Sequence, residues 1–240
     1  ADARAFYWNP PGLAAGSYFS LVVDGMDAGV TPDRLAVGRD NSSFLLGLAM
    51  PALGLGYYRL HSRSAFPAVP LLIEGAPASA QNLTGPGGLQ VDTLITHHAG
   101  VSLVQSVWQG VAIGTTLKLV RGIAATGSVA AANAQEALET DPAELLGGAT
   151  NEFDLDVGFM AAGGPLKVGL TVRNLREPKF EAAGNGGELM LERQARAGLS
   201  YAVTPDWVAA ADFDLQKTRD PFGERRDIGF GVVGGVIPRV

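Results

Sequence analysis

The 240-residue sequence contains no cysteine, and only 18% of its residues are charged. The lack of cysteine excludes a disulfide framework, a cysteine zinc site and a thiol nucleophile. A net charge of −6 without any long basic run argues against nucleic acid as a partner. No apolar stretch reaches the roughly 18–20 residues of a transmembrane helix, and the first residues do not have the pattern of a signal peptide.

Catalytic and cofactor motifs are missing as well. No Gly-rich phosphate loop and no G-x-S-x-G elbow occur, and "GNGG" at 184–187 lacks the lysine and the strand–helix context. His97 and His98 are adjacent, so in a regular strand they point to opposite faces and cannot chelate one metal ion. We therefore expect a protein that is not an enzyme and that uses no cofactor.

The sequence is instead rich in glycine, 32 residues in all, and in alternating apolar and polar positions. In "FDLDVGF" (153–159) the apolar residues share one face, whereas Asp154 and Asp156 share the other. Such alternation predicts antiparallel β-strands. Ten strands are predicted, at 17–23, 43–50, 53–62, 91–107, 111–121, 151–160, 166–174, 190–203, 207–217 and 225–236. "TDPAELLGG" (140–148) predicts a short helix in a long connection.

Short and long connections alternate between these strands, which is typical of an outer-membrane barrel. Aromatic residues near strand ends, such as Trp108 and Trp207, favour the same fold. So does the polar face, because it carries glycines where a solvated face would carry longer polar side chains: Gly47, Gly54, Gly56, Gly100, Gly114, Gly169, Gly198, Gly229 and Gly231. The prediction is all-β, an antiparallel transmembrane β-barrel in the bacterial outer membrane, with lipid around it. A soluble barrel or sandwich with the two faces exchanged stays open.

The segment "DARAFYWNPPGLA" (2–14) resembles the N-terminal motif of the FadL-like superfamily of outer-membrane barrels. That superfamily includes hydrocarbon channels and TraF-like and PorV-like relatives, which "PALGLGYYR" (51–59) and "GPLKVGLTVRNLREPKF" (164–180) also resemble. The resemblance implies a hatch, residues 1–16, inside a barrel formed by 17–240. Family barrels have about fourteen strands, so the ten strands are either part of such a barrel or a smaller one. The hatch motif is Asn9, Pro10, Pro11 and Gly12, with Pro11 in place of the usual alanine.

Two groups of residues are predicted to form functional sites. The first is a polar lumen network, which either braces the lumen or forms a polar conduit or headgroup site: Asp154, Asp156, Lys167, Arg173, Arg196, Asp212 and Asp214. The second is an apolar stretch of the predicted loop 63–89, which could meet a hydrophobic ligand or a partner: Phe66, Val69, Leu71, Leu72 and Ile73.

Three functions follow. The first, implied by the resemblance, is passive uptake of small hydrophobic molecules. The alternative is a structural or partner-binding barrel, with envelope protein partners, in a secretion or conjugation assembly. The third is a soluble β-barrel binding protein. A channel needs an apolar pocket that is continuous with an opening, whereas a scaffold can be plugged throughout.

Overall fold

The computed structural model describes residues 3–16, 18–30, 37–67, 88–131, 133–139, 148–184, 187–220 and 223–234. The chain begins with a one-turn helix, α1 (Ala5–Trp8), and a 3-10 helix (Pro10–Ala15). A second helix, α2 (Ala134–Glu139), lies between the fifth and sixth strands. The strands are β1 (Ser20–Val30), β2 (Gly38–Met50), β3 (Leu53–Pro67), β4 (Gly88–Trp108), β5 (Val111–Ala130), β6 (Thr150–Gly163), β7 (Leu166–Arg173), β8 (Lys179–Gly184), β9 (Glu188–Met190), β10 (Gln194–Thr204), β11 (Trp207–Asp214), β12 (Thr218–Asp220), β13 (Gly223–Arg225) and β14 (Ile228–Gly234).

One large sheet contains most of these strands. Its main path runs β1-β2-β3-β4-β5-β6-β7-β10-β11-β14, and each neighbouring pair is antiparallel. The sheet curves into a half-barrel. The predicted all-β, antiparallel fold is therefore confirmed, and the strands of the main path overlap the ten predicted ones in order. Among the described helices, none is both long enough and apolar enough to cross a membrane.

The strands differ from their predicted bounds where alternation fades. β5 continues through "GIAATGSVA" (122–130), although the small residues there give little apolar contrast. It does so because it stays paired with β4 as far as Ala130, which lies opposite Gly88. The predicted helix at 140–148 lies largely outside the described residues. The helix that the structure contains, α2, lies just before it, and its Glu136 N–H donates to Asn133 Oδ1 at 2.9 Å, as an N-cap interaction does.

Two segments pack on the concave inner face of the sheet. The N-terminal segment (residues 3–16) buries Ala3 and Leu13 there. The β8–β9 hairpin turns inward after β7, so that β8 pairs in parallel with β5 and Phe180 is buried. Helix α2 lies on the other face, because it buries Ala134, Ala137 and Leu138 against Ala65 and Val91, which alternate with the inner-face residues of β3 and β4. Two of the three apolar clusters among the described residues therefore lie inside the curve of the sheet.

Candidate functional site: the inner face and its inserted segments

The N-terminal segment sits on glycines of the inner face. The Phe6 ring occupies the space above Gly56 and Gly100, so a methyl group on Gly56 would overlap it. Leu13 lies over Gly54, where an added Cβ would be 2.7 Å from Leu13 Cδ1. Phe6 and Leu13 are 1% and 2% exposed. The glycines of the polar face therefore make room for inserted side chains, which explains why that face is poor in large residues.

The predicted hatch residues lie at the turn between α1 and the 3-10 helix. Asn9 N–H donates to Ala5 O at 3.0 Å, and Gly12 N–H donates to Asn9 O at 2.9 Å, so the turn satisfies its own backbone. Pro10 and Pro11 are buried, which suits residues that lack an N–H donor. Pro11 faces Gly114 of β5 and Gly158 of β6, where a Cβ would lie 2.7 Å from Pro11 N and 2.5 Å from its Cδ.

An ion cluster of Lys118, Asp154 and Asp156 lies at the centre of the inner face. Lys118 Nζ is 2.9 Å from Asp154 Oδ2 and 2.7 Å from Asp156 Oδ1. It also donates to Asn174 Oδ1 at 3.1 Å. The three charged side chains are at most 3% exposed. A lysine between two carboxylates is the arrangement that a buried charge requires, because an unpaired charge away from water is very unfavourable.

The turn after β7 completes this cluster. Asn174, in a left-handed conformation with φ of 52°, donates its N–H to Asp156 Oδ1 at 2.9 Å. Arg176 donates its N–H to Asp154 Oδ1 at 3.2 Å. Both carboxylates therefore accept a backbone hydrogen bond in addition to their ion pair with the lysine, which fixes the point where the chain turns inward towards β8.

Aromatic rings connect the ion cluster to the N-terminal segment. Lys118 Nζ is 3.4 Å from Tyr58 OH, and the Tyr58 ring stacks on His98 with centroids 4.1 Å apart. Tyr7 meets Tyr58 edge to face, with centroids 4.9 Å apart, and the Arg173 guanidinium lies 3.8 Å from the centroid of Tyr7. The N-terminal segment is thus held by both apolar contacts and a cation–π interaction.

The predicted polar residues separate into two groups and one isolated lysine. Asp154, Asp156 and Arg173 belong to the region around Lys118, a residue that the prediction did not include. Arg196 of β10 pairs with two carboxylates of β11: its Nε is 2.7 Å from Asp214 Oδ1, and its Nη1 is 3.3 Å from Asp212 Oδ1. Lys167 is exposed, and no ion pair connects it to another described residue. The alternation of "VAIGTTLKL" (111–119) placed Lys118 on the polar face, and that signal could have identified it.

The predicted apolar loop is only partly within the described residues. Phe66 is not in a loop: it lies in β3, opposite Gln90 of β4, because β3 and β4 stay paired as far as Pro67 and Leu89. Val69, Leu71, Leu72 and Ile73 lie outside the described residues. Among the residues that the structure describes, no three His, Asp or Glu side chains are grouped so as to hold a metal ion.

The outer face of the sheet is apolar and exposed. Leu117 and Leu119 flank the buried Lys118 in sequence, yet they are 43% and 57% exposed whereas Lys118 is 1% exposed. The same alternation continues on both sides of β5, and the exposed apolar residues of the central strands are Phe44, Leu46, Leu55, Val101, Leu103, Ile113, Phe153, Phe159, Leu166, Val168, Leu170, Leu199 and Tyr201. This is the inverse of a water-soluble sheet, in which polar residues face solvent.

The fold and its inner face define a class: an all-β protein with an antiparallel half-barrel sheet, a polar and partly filled inside and an apolar outside. The model of the family described as "F plasmid transfer operon, TraF, protein" matches residues 80–214, which is more than half of the chain and includes β4 to β11. The chain belongs to this family. No curated protein and no solved structure matches it.

The family match corrects the resemblance drawn from the sequence. The assignment to the FadL-like superfamily, through its TraF-like and PorV-like branch, was wrong. The family that matches is described by the transfer-operon TraF protein, and no FadL-like or PorV-like family matches. The resemblance relied most on the short motif around Asn9 to Gly12, which lies before the matched region.

Proposed function

We propose that this protein is a non-enzymatic, partner-binding structural component of a plasmid transfer assembly, held in the bacterial outer membrane by its apolar outer face. The observation that carries the proposal is the inverted burial along β5, where Lys118 is buried between exposed Leu117 and Leu119. Exposed apolar surface on this scale is unfavourable in water, whereas facing lipid it requires no cover.

The ends of the strands fit the same position. Trp108 and Trp207 flank the two-residue turns that follow β4 and β10, and they are 80% and 47% exposed. Aromatic side chains at this level suit the interface between lipid and water. In outer-membrane proteins the short turns face the periplasm, so the N-terminal segment, which packs near those turns, would lie on the periplasmic side.

The filled inner face favours a structural component over a channel. The N-terminal segment and the β8–β9 hairpin occupy the concave side of β2 to β6, and the ion cluster lies between them. An open path for a hydrophobic molecule along these strands would require both inserted segments to leave. The name of the matched family, which refers to the transfer operon of the F plasmid, supports an assembly as the setting.

The proposal that the outer face contacts lipid can be tested by introducing a charge at the middle of β5. Leu117 lies between Val101 of β4 and Leu155 of β6 on the outer face. We expect Leu117→Arg to lower the free energy of unfolding in phospholipid bilayers by about 2–4 kcal/mol, the usual effect of arginine at the bilayer midplane. The measurement is urea unfolding followed by tryptophan fluorescence.

The matched control is Met190→Arg, at a side chain of β9 that is comparably exposed but lies on the inserted hairpin. In a protein surrounded by water both substitutions would be nearly neutral, because both side chains would be solvated. Equal, small effects of the two variants, together with recovery of a folded monomer in buffer without detergent, would reject the membrane position.

A further inference from the structure

A side recess remains open between the N-terminal segment and the strands β7, β10 and β11. Its volume is about 430 Å³, and Trp8 and Asn9 form one wall. The inward-facing residues of the strands form the floor of the recess. Gly169 and Gly198, which lie opposite each other, leave space there because they have no side chains. This part of the inner face is therefore recessed but not filled by any described segment.

Three hydrogen-bond donors face this recess without a partner among the described residues. Lys167 and Ser200 are directly opposite each other on β7 and β10, so their side chains are neighbours on the same face. The third donor is the Asn9 amide, whose Nδ2 lies above Gly169, 2.7 Å from where a Cβ would be. The recess therefore offers an ammonium group, a hydroxyl group and an amide N–H. A carboxylate can accept hydrogen bonds from all three.

The nearby Arg196 is not available to bind such a carboxylate, because its guanidinium is already paired. Arg196 is already between Asp212 and Asp214, and Asp212 is opposite Gly198, one inward position away from Ser200. These carboxylates would repel an anion at their end of the recess. A bound carboxylate would consequently be directed towards Lys167 and the short turn that precedes β7.

The rest of the recess is apolar. Trp8, which is 53% exposed, presents its indole to the space, and Met160 lines it from β6. Half-exposed tryptophan beside a recess is typical of a binding position, because burial of the ring on association is favourable. An occupant therefore needs an apolar group next to its carboxylate.

We propose that the side recess binds the free carboxyl terminus of a partner protein, with the carboxylate on Lys167, Ser200 and Asn9 and the last apolar side chain on Trp8. The inference rests on the proposed function, because it places the recess near the short, periplasm-facing turns, where a chain end of another envelope protein can enter. Capture of a chain terminus by convergent donors is an established mode of peptide recognition.

The test measures binding of a fluorescein-labelled pentapeptide, Gly-Ser-Gly-Leu-Phe with a free carboxyl terminus, to the full chain in detergent micelles by fluorescence anisotropy. We expect saturable binding that weakens about ten- to a hundredfold when the peptide is amidated or when Lys167 is replaced by Met, since one charge-assisted interaction is lost. Ser200→Ala should weaken it less. Lys179→Met, which removes an exposed lysine paired with Glu188 on β9, is the control and should change nothing.

Equal binding of the acid and the amide, or unchanged binding to Lys167→Met, would overturn the proposal. Phenylacetate that competes as tightly as the peptide would also overturn it, in favour of a small-acid site. Absence of peptide binding by a protein that inserts into membranes rejects the recess and leaves the proposed function. Peptide binding by a protein that stays soluble in plain buffer retains the carboxylate site and rejects the proposed function.

Discussion

Replacement of Lys118 by Met is expected to destabilise the protein by about 3–5 kcal/mol, the usual result of removing one partner from a buried ion pair. Asp154 and Asp156 would remain buried without the lysine, although each would still accept a backbone hydrogen bond, Asp156 from Asn174 and Asp154 from Arg176. The lost hydrogen bonds to Asn174 and Tyr58 add to the same effect. The measurement is the free energy of unfolding in detergent or bilayers, from urea titration.

Two further variants distinguish charge from packing. Lys179→Met removes a lysine whose ion pair with Glu188 is more than half exposed, and it should change the stability by less than about 1 kcal/mol. A triple variant, Lys118→Met with Asp154→Asn and Asp156→Asn, should recover part of the loss because the two positions no longer carry buried negative charges without a lysine. A Lys118→Met protein as stable as the parent would contradict the role given to the ion cluster.

Replacement of Phe6 by Ala is expected to lower the free energy of unfolding by about 3–5 kcal/mol, because a fully buried ring above Gly56 and Gly100 is lost. Gly56→Ala in the parent should cost about 1–3 kcal/mol, because the new methyl group overlaps the Phe6 ring. In the Phe6→Ala background the same glycine substitution should be nearly neutral, because the ring is gone.

The coupling between these two positions is the decisive quantity. A double-mutant cycle should give an interaction energy of about 1–3 kcal/mol, since the two groups are in direct contact. Gly198→Ala, on the inner face but only in ordinary contact with β11, is the matched control and should show no coupling to Phe6. Additive effects of Phe6→Ala and Gly56→Ala would mean that the N-terminal segment does not sit on β3 in solution.

The sequence predicted the sheet well because one rule, alternation, applies to every strand of the main path. Phe153 and Asp154 are adjacent in a strand, so they lie on opposite faces whichever strands are its neighbours. Their assignment to different faces therefore does not require the strand pairing to be known. Periodicity does not predict which of the two faces points outward, because a sheet in lipid and a sheet in water show the same alternation. Glycine content on the polar face was the available clue, and its physical basis is the contact with inserted residues such as Phe6.

The ion cluster and the side recess could not be predicted in the same way. Lys118 joins Asp156 because β5 and β6 pair with Thr116 opposite Asp156, a register that alternation alone leaves undetermined. Its contact with Asn174 depends on a left-handed turn after β7. The contact between Phe180 and Gly122 arises because the β8–β9 hairpin folds inward. Such contacts join residues that are distant in sequence and follow no local period.

The order of the segments along the chain has a consequence for folding kinetics. The N-terminal segment is synthesised before the strands β2 to β6 that form its binding surface, and Lys118 and Tyr58 within that surface are 60 residues apart. Contacts over such separations make folding slow, since long loops must close before any contact is gained. Phe6 and Leu13 would remain uncovered throughout that interval. The rate at which the strands assemble, rather than the final stability, would then set how long these two apolar side chains stay exposed.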